Sequence, residues 1–259
     1  MEIKWKGEEG YNFTIKDKEI NGITGNNKEE IIDQIYFKKA YKGKVTINSK
    51  ELSGSERNRY KNKISIVEEE MSPLQFQQKV YECMYLEIKR RQMDLKDPKK
   101  KILDSLKIVD LDIPYLNRNI RDLSSSERKL LQIGMALMTN PEVIILKEPF
   151  KVMDKKTERR IFLFLQKIRD VYDKTIIIAS DDSCRLYSFT THLIIEKNHK
   201  VLVEGETKEI YQRVEYLKKN KIQLPEIVEF TYAAKKEKAA KIDYHRDIRD
   251  LIKDIYKHV

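Results

Sequence analysis

The residues best placed for chemistry lie where the sequence pattern changes from strand to helix. Tyr11 to Gly25, YNFTIKDKEINGITG, alternates apolar and polar residues and ends on a glycine turn, reading as strand, turn, strand. Glu29 to Ala40 then carries Ile31, Ile32, Ile35 and Tyr36 at helical spacing. A strand led through a glycine turn into a helix is a geometry that holds phosphate, because first-turn N–H groups and the helix dipole face the anion together. The turn, Gly25-Asn26-Asn27-Lys28-Glu29-Glu30, supplies a lysine but a single glycine. The chain has only eight glycines in 259 residues, about 3% where roughly 7% is usual, so few amides are available to cradle a phosphate. Other chemistries find less support. Cys83 and Cys184 are far apart with no C-x-x-C, and His192, His199, His245 and His258 show no ligand spacing. A disulfide framework is excluded, and the spacing argues against a metal site.

A chain of this length with 40% hydrophobic residues buries a real core in one large or two small domains, which excludes disorder along its whole length. The 52 Lys and Arg against 42 Asp and Glu give +10, but the two signs are interleaved, as on a solvated surface. The pI of 9.2 and the runs Lys99 to Lys101 and Lys235 to Lys241 raise nucleic-acid binding as a rival reading. Acids interrupt those runs and no aromatic platform accompanies them, so no nucleic-acid partner is expected. No apolar run approaches the roughly 18 to 20 residues that span a bilayer, and MEIKWKGEEGYNF lacks the apolar centre of a secretory signal. The expected place is the cytosol, or a membrane surface reached through partners.

The candidate residues must be positioned by the elements around them. Lys44 to Ile47 and Lys63 to Val67 read as short strands, with SGSERNR a polar turn between them. Ser72 to Lys89 and Lys99 to Leu106 have helical spacing around a charged connector, Arg90 to Pro98. Ser124 to Met138 is a helix with an apolar stripe from Leu130 to Leu137, stopped by Asn140-Pro141. Val143 to Leu146 and Thr175 to Ala179 are fully apolar runs separated by a helix over Lys155 to Asp170, a βαβ unit that implies a parallel sheet. Leu193 to Ile195 and Val201 to Glu204 form a hairpin. Thr207 to Val259 reads as helices broken at Leu224-Pro225, a separate C-terminal appendage.

The order of glycine turn, helix, helical insertion, Leu123-Ser124-Ser125-Ser126-Glu127, VIILKEPF, Asp154 and TIIIASDD resembles the nucleotide-binding subunit of an ABC transporter across roughly residues 11 to 210. LSSSE takes the place of the LSGGQ signature, VIILKEP that of the Walker B strand, Asp154 that of the D-loop aspartate, and Glu69 and Asp181 those of the Q-loop glutamine and switch histidine. Residues 205 to 237, with their Leu-Pro turn, and SPLQFQQKVYECM, residues 72 to 84, are similar to the ATPase subunits of energy-coupling-factor transporters. The resemblance implies an α/β fold: a P-loop NTPase-like ABC ATPase domain over 1–206, with a mixed sheet and a helical subdomain at about 72–140. A C-terminal helical extension over 207–259 would serve dimerisation.

The resemblance also implies Mg-ATP as the family's cofactor, and each nucleotide position here argues against its binding to this chain. The phosphate loop is about three residues short and lacks its later glycines. Lys28 survives, while Glu29 and Glu30 fall where hydroxyl residues belong, and two carboxylates beside a triphosphate cost several kcal/mol at an effective dielectric of about 20. As first-turn acids they also complement the helix dipole, and on either reading phosphate is excluded. Lys147 replaces the metal-holding carboxylate of Walker B, leaving the retained Glu148 idle. Glu69 and Asp181 add negative charge beside the γ-phosphate position. Ser125 and Ser126 crowd the signature where glycines belong and Glu127 adds a like charge; Ser124 remains, free to contact a γ-phosphate held by a partner, although its capping role is a sufficient reason for it. Lys147 should lie near Glu29 and Glu30, and an ion pair with one or the other should stand in for Mg-ATP.

The expectation is therefore a degenerate, pseudo-ATPase subunit of an energy-coupling-factor importer for a vitamin or metal ion, with little or no ATPase activity of its own. By resemblance its partners are a second ATPase chain (a heterodimer rather than a homodimer), a transmembrane coupling subunit and a substrate-binding membrane component, with the chain peripheral on the cytoplasmic face. The rival reading is a non-enzymatic scaffold or regulatory protein that kept the fold and left transport.

Overall fold

The computed structural model describes residues 3–6, 11–37, 44–47, 49–151, 153–238 and 240–257. Lys38 to Ala40 of the expected first helix, and His258, lie outside the described residues. The first half of the chain gives β1 (Ile3–Lys6), β2 (Asn12–Ile15), β3 (Ile20–Thr24), α1 (Lys28–Ile35), β4 (Lys44–Ile47), β5 (Lys50–Glu51), α2 (Gly54–Lys61) and β6 (Ile64–Val67). Helices α3 (Pro73–Phe76), α4 (Val80–Arg90) and α5 (Pro98–Ile108) form an insertion that leads into α6 (Ser125–Leu137). Then follow β7 (Val143–Lys147), α7 (Lys155–Tyr172), β8 (Thr175–Ala179), α8 (Ser183–Phe189), β9 (His192–Lys197) and β10 (Lys200–Glu206). The chain closes with α9 (Thr207–Gln212), α10 (Val214–Lys219), α11 (Glu226–Lys238) and α12 (Ile248–Lys257).

The central sheet has the order β10-β9-β3-β8-β7-β6, parallel throughout except for β10. The expected βαβ unit is present: β7 runs parallel to β8, with Val143 opposite Thr175 and Lys147 opposite Ala179. These strands are apolar at nearly every position because both faces are covered. Ile144, Leu146, Ile176 and Ile178 pack with α6, α7 and the insertion, while Val143, Ile145, Ile177 and Ala179 pack with α1 and the second sheet. That second sheet, β2-β1-β4-β5, is antiparallel and carries Trp5 stacked on Phe13 at 5.0 Å. The helices after β10 share the main core, since Ile210, Tyr211, Val214, Leu217 and Val228 lie in one cluster with Leu186 and Leu193.

Two local expectations are corrected. SGSERNR is not a turn: Ser53 caps α2, its hydroxyl accepting from the Glu56 N–H while the Glu56 carboxylate accepts from the Ser53 N–H. The helix has no buried residue, so its polar sequence carries no amphipathic signal. The single helix expected from Ser72 to Lys89 is two, because Lys79 leaves the helix to bridge Asn119, with Val80 N–H donating to the Arg118 carbonyl.

Gly25 joins β3 to α1 at φ +130°, and a Cβ there would lie 2.3 Å from the Glu196 carbonyl oxygen. Both the dihedral and the contact exclude a side chain. Gly25→Ala should lower stability by about 2 kcal/mol or more, read as a drop in the urea midpoint; an unchanged midpoint would show that the turn is not held against β9.

Candidate functional site

The C-terminal edge of the parallel sheet is where an open α/β fold offers a ligand crevice. Here the ends of β3, β7 and β8 bring Lys28, Glu29, Lys147, Glu148 and Asp181 together with Glu68 around a pocket of about 700 Å³.

The loop that should hold phosphate is closed from within. Gly22 to Lys28 keeps the full spacing G-x-x-x-x-G-K, with Asn27 at the second glycine and Glu29 at the hydroxyl position. The expected shortage of residues is thus one of conformation. Gly22 and Ile23 are paired on both sides in β3, Thr24 pairs with β9, and only Gly25-Asn26-Asn27 remains as loop. The Asn27 N–H donates to the Glu196 carboxylate at 2.7 Å, its side-chain amide donates at 3.2 Å, and the His199 N–H adds a third bond at 2.8 Å. Glu196 is 1% exposed, so a buried carboxylate of this chain takes an amide that the loop would offer to phosphate. Sequence reasoning missed both Gly22 and Glu196. The count back from Lys28 marks the first; nothing in the HLIIEK strand marks the second.

Two cations of the pocket are taken up by its carboxylates. Lys147 Nζ lies 2.7 Å from Glu29 Oε2 and 3.1 Å from Glu68 Oε2, with the lysine side chain only 13% exposed. Burial works to lower its pKa, but the hydrogen bonds to Glu29 and Glu68 outweigh that and hold it above the ordinary lysine value. The expected ion pair at Lys147 is therefore present, with Glu68 as an unforeseen second partner. Glu30 is not part of it. Its carboxylate faces away from Lys147, accepting from the Tyr11 hydroxyl and lying 3.0 Å from His199 Nδ1.

Lys28 Nζ lies 2.6 Å from Asp181 and 3.8 Å from Glu148. Glu148 stands at φ 40°, a left-handed conformation unusual for a side-chain-bearing residue, and its N–H donates to the Ala179 carbonyl. Its carboxylate accepts from Ser180 Oγ at 2.7 Å and the Asp181 N–H at 2.9 Å, which fastens the β7 end to the β8 end.

Of the remaining candidates, Glu69 also lines this pocket, while the signature residues and Asp154 do not and act as helix caps. Ser124 and Glu127 form a capping box on α6, and the second oxygen of Glu127 accepts from the Tyr115 hydroxyl at 2.6 Å. The Ser124 hydroxyl, the signature group expected to survive, also lies 3.1 Å from that of Ser126; Leu123 is buried and Ser125 opens the helix. Asp154 caps α7, accepting from the Lys156 and Thr157 amides. Glu69 pairs with Lys151, and its carbonyl, with that of Glu68, accepts from the buried Lys129 ammonium at 2.8 and 2.9 Å. His192 is a buried strand residue 3.4 Å from Glu204, in keeping with a structural role.

A family model described as ABC transporter matches residues 9–151, and the sheet that carries this edge is the one its resemblance implied. The chain belongs to the ABC transporter family. Among curated ABC relatives, the energy-coupling factor transporter ATP-binding protein EcfA2 of Enterococcus faecalis is 24% identical over 227 residues, covering 85% of this chain and 78% of that protein. EcfA2 of Acetivibrio thermocellus is 23% identical, over 90% of this chain and 83% of its own length. Among solved structures, cbiO1 from Clostridium perfringens, described as part of the ABC transporter complex cbiONQ, superposes with a TM-score of 0.71 at 22% identity over 90% of this chain and 100% of that one. A dimeric ATP-binding cassette bound to ADP and Pi gives 0.63 at 23% identity, over 79% of this chain and 98% of its own. The α/β ABC ATPase fold is thereby shown.

Mg-ATP in an ABC cassette needs free loop amides, a lysine able to reach β and γ oxygens, and a hydroxyl and a carboxylate for the metal. In this chain the Asn27 amide is bound to Glu196 and Lys28 to Asp181. Glu29 and Lys147 stand at the metal positions and are bound to each other. These residues do not fit Mg-ATP.

Burial lowers the Lys129 pKa to about 8, with Glu69, Glu70 and Glu68 opposing the shift. The unfolded chain keeps its lysine proton up to the ordinary 10.5, so between about 8 and 10.5 it binds more protons than the native state and the Lys129 contribution to stability rises with pH. Thermal unfolding of the wild type, measured against Lys129→Met across that window, should show the wild type gaining relative stability as pH increases. A constant difference would mean that Lys129 titrates normally.

Proposed function

We propose that this chain is a pseudo-ATPase subunit of an energy-coupling-factor type importer: it assembles as an ATP-binding subunit does but does not bind or hydrolyse ATP. The observation that carries this reading is the bond between Lys147 and Glu29. A cation occupies the metal-carboxylate position, an anion occupies the metal-hydroxyl position, and they neutralise each other, a paired exchange that keeps the pocket without its ligand. The similarity of more than three quarters of the chain to EcfA2 proteins supports placement in that group.

On this reading the chain sits on the cytoplasmic face of the membrane as a peripheral subunit; among the described residues no helix is long and apolar enough to cross it. Its partners are a second ATPase chain with working motifs, a transmembrane coupling subunit and a membrane component that binds a vitamin or metal ion. The extension from residue 207 contributes to dimer contact, with Phe230, Ile252 and Tyr256 exposed along its helices. The Ser124 hydroxyl accepts from the Glu127 N–H as the N-cap of α6, the role it plays within this chain.

Isothermal calorimetry of the purified chain with ATP, with and without Mg²⁺, tests the reading directly. No binding up to millimolar ATP is the expected result, and micromolar, magnesium-dependent binding would overturn it. The ion pair makes a separate prediction: Lys147→Asp sets a third carboxylate against Glu29 and Glu68 and should cost about 1–3 kcal/mol of stability. Lys147→Met, which removes the cation without adding an anion, should cost less; an equal or improved stability in Lys147→Asp would show that the pair is not structural.

A further inference from the structure

The exposed face of α7 carries a cationic groove that the proposed function leaves unused. Lys156, Arg159, Arg160, Leu163 and Lys167 recur at the helical spacing that puts them on one face, opposite the buried Ile161, Leu165 and Ile168, with Phe164 at the boundary between the two faces. The groove between this face, α6 and the turn after α5 has a volume of about 400 Å³, an apolar floor of Leu130, Leu163 and Phe164, and a single acid, Asp110, on its rim. Leu163 is 52% exposed in its middle. Among the described residues none of the four cations belongs to an ion pair, although most lysines and arginines of the nucleotide-site edge do. Arg159 feels the charge of Asp247, which is itself paired with Arg249.

Four like charges held on one stretch of helix repel one another, and Leu163 holds apolar area in water that contact with a partner would bury. A partner that brings acids to the flank and an apolar side chain to the floor relieves the repulsion and buries that area. We infer that the α7 groove is a docking surface for an acidic amphipathic helix of a protein partner, with apolar anchors against Leu163 and acids along Lys156, Arg159, Arg160 and Lys167. The groove form favours this occupant over a membrane, whose flat surface reaches the rim cations but not the floor. Asp110 on the rim and the lack of an exposed aromatic ring in the lining disfavour nucleic acid, which presents phosphates on every side and stacks its bases. A protein helix alone can set acids against α7 and a lysine against Asp110. The inference stands whether or not the chain binds ATP.

The test uses the full-length chain and a synthetic amphipathic helix with glutamates along one flank, leucines at its centre and one lysine placed to meet Asp110. Low-micromolar binding by fluorescence anisotropy is expected. It should weaken by about tenfold or more in Lys156→Glu/Arg160→Glu and fall steeply with salt. Leu163→Ser should weaken it comparably while leaving the thermal midpoint unchanged, because these side chains are exposed. Three results would overturn the inference: no binding; equal binding of a control peptide with its leucines replaced by serine; or binding of phosphatidylglycerol vesicles or single-stranded RNA that is lost in the same variants when the peptide does not bind.

Discussion

The structure of the nucleotide-site edge depends on one lysine at the end of a buried strand. β7 is apolar and covered on both faces, so its last residue emerges at the carboxyl edge of the sheet, where the N-terminus of α1 also points. In a nucleotide-binding fold the positive end of that helix is met by phosphate. Here Glu29 and Glu30, in the first turn of α1, supply the negative charge from within the chain. Acids placed there need a counter-charge once they are drawn toward the sheet, and Lys147 meets Glu29. The lysine in turn needs two carboxylates to offset its own burial, which draws in Glu68 from the segment after β6. Each substitution thus creates the electrostatic demand that another one meets.

That chain of compensation reaches beyond the pocket. The segment from Glu68 to Glu70 is tied to the sheet through Lys147, to the turn after β7 through the Glu69–Lys151 pair, and to α6 through the carbonyls that hold Lys129. The sheet, the segment after β6 and α6 are therefore joined at the pocket by side chains of this chain. Glu148, strained and capped by Ser180 and Asp181, closes the same region from the β8 side.

Much of this was legible in sequence, for definite reasons. Buried parallel strands announce themselves as unbroken apolar runs, so β7, β8 and their connecting helix were readable, and the complementary signs of Lys147 and Glu29 foretold their bond. What escaped has a physical cause in each case. Helix α2 has a cap but no apolar face, so periodicity could not reveal it. The sequence leaves open whether Glu29 or Glu30 meets Lys147; adjacent residues leave a helix about 100° apart, and the fold gives Glu29 to Lys147 and Glu30 to Tyr11 and His199. The phosphate loop reads as short because Asn27 replaces the glycine before Lys28, whereas its full spacing is present and partly pulled into β3. Glu196 acts across two elements distant in sequence, and only the fold brings it to Asn27.

The two charged regions of the molecule obey opposite rules, and the contrast separates structure from recognition. At the sheet edge Lys28, Lys147 and Lys151 each have a carboxylate within reach and the Asn27 amide is satisfied, the condition of a site that serves the fold itself. On α7 four cations surround an exposed leucine with one acid at the rim. Folding gains nothing from that arrangement, since the buried side of α7 would pack equally well beneath a neutral surface. A charge pattern that the fold does not use, organised around an apolar groove and kept on the face opposite the core, has its reason outside the chain.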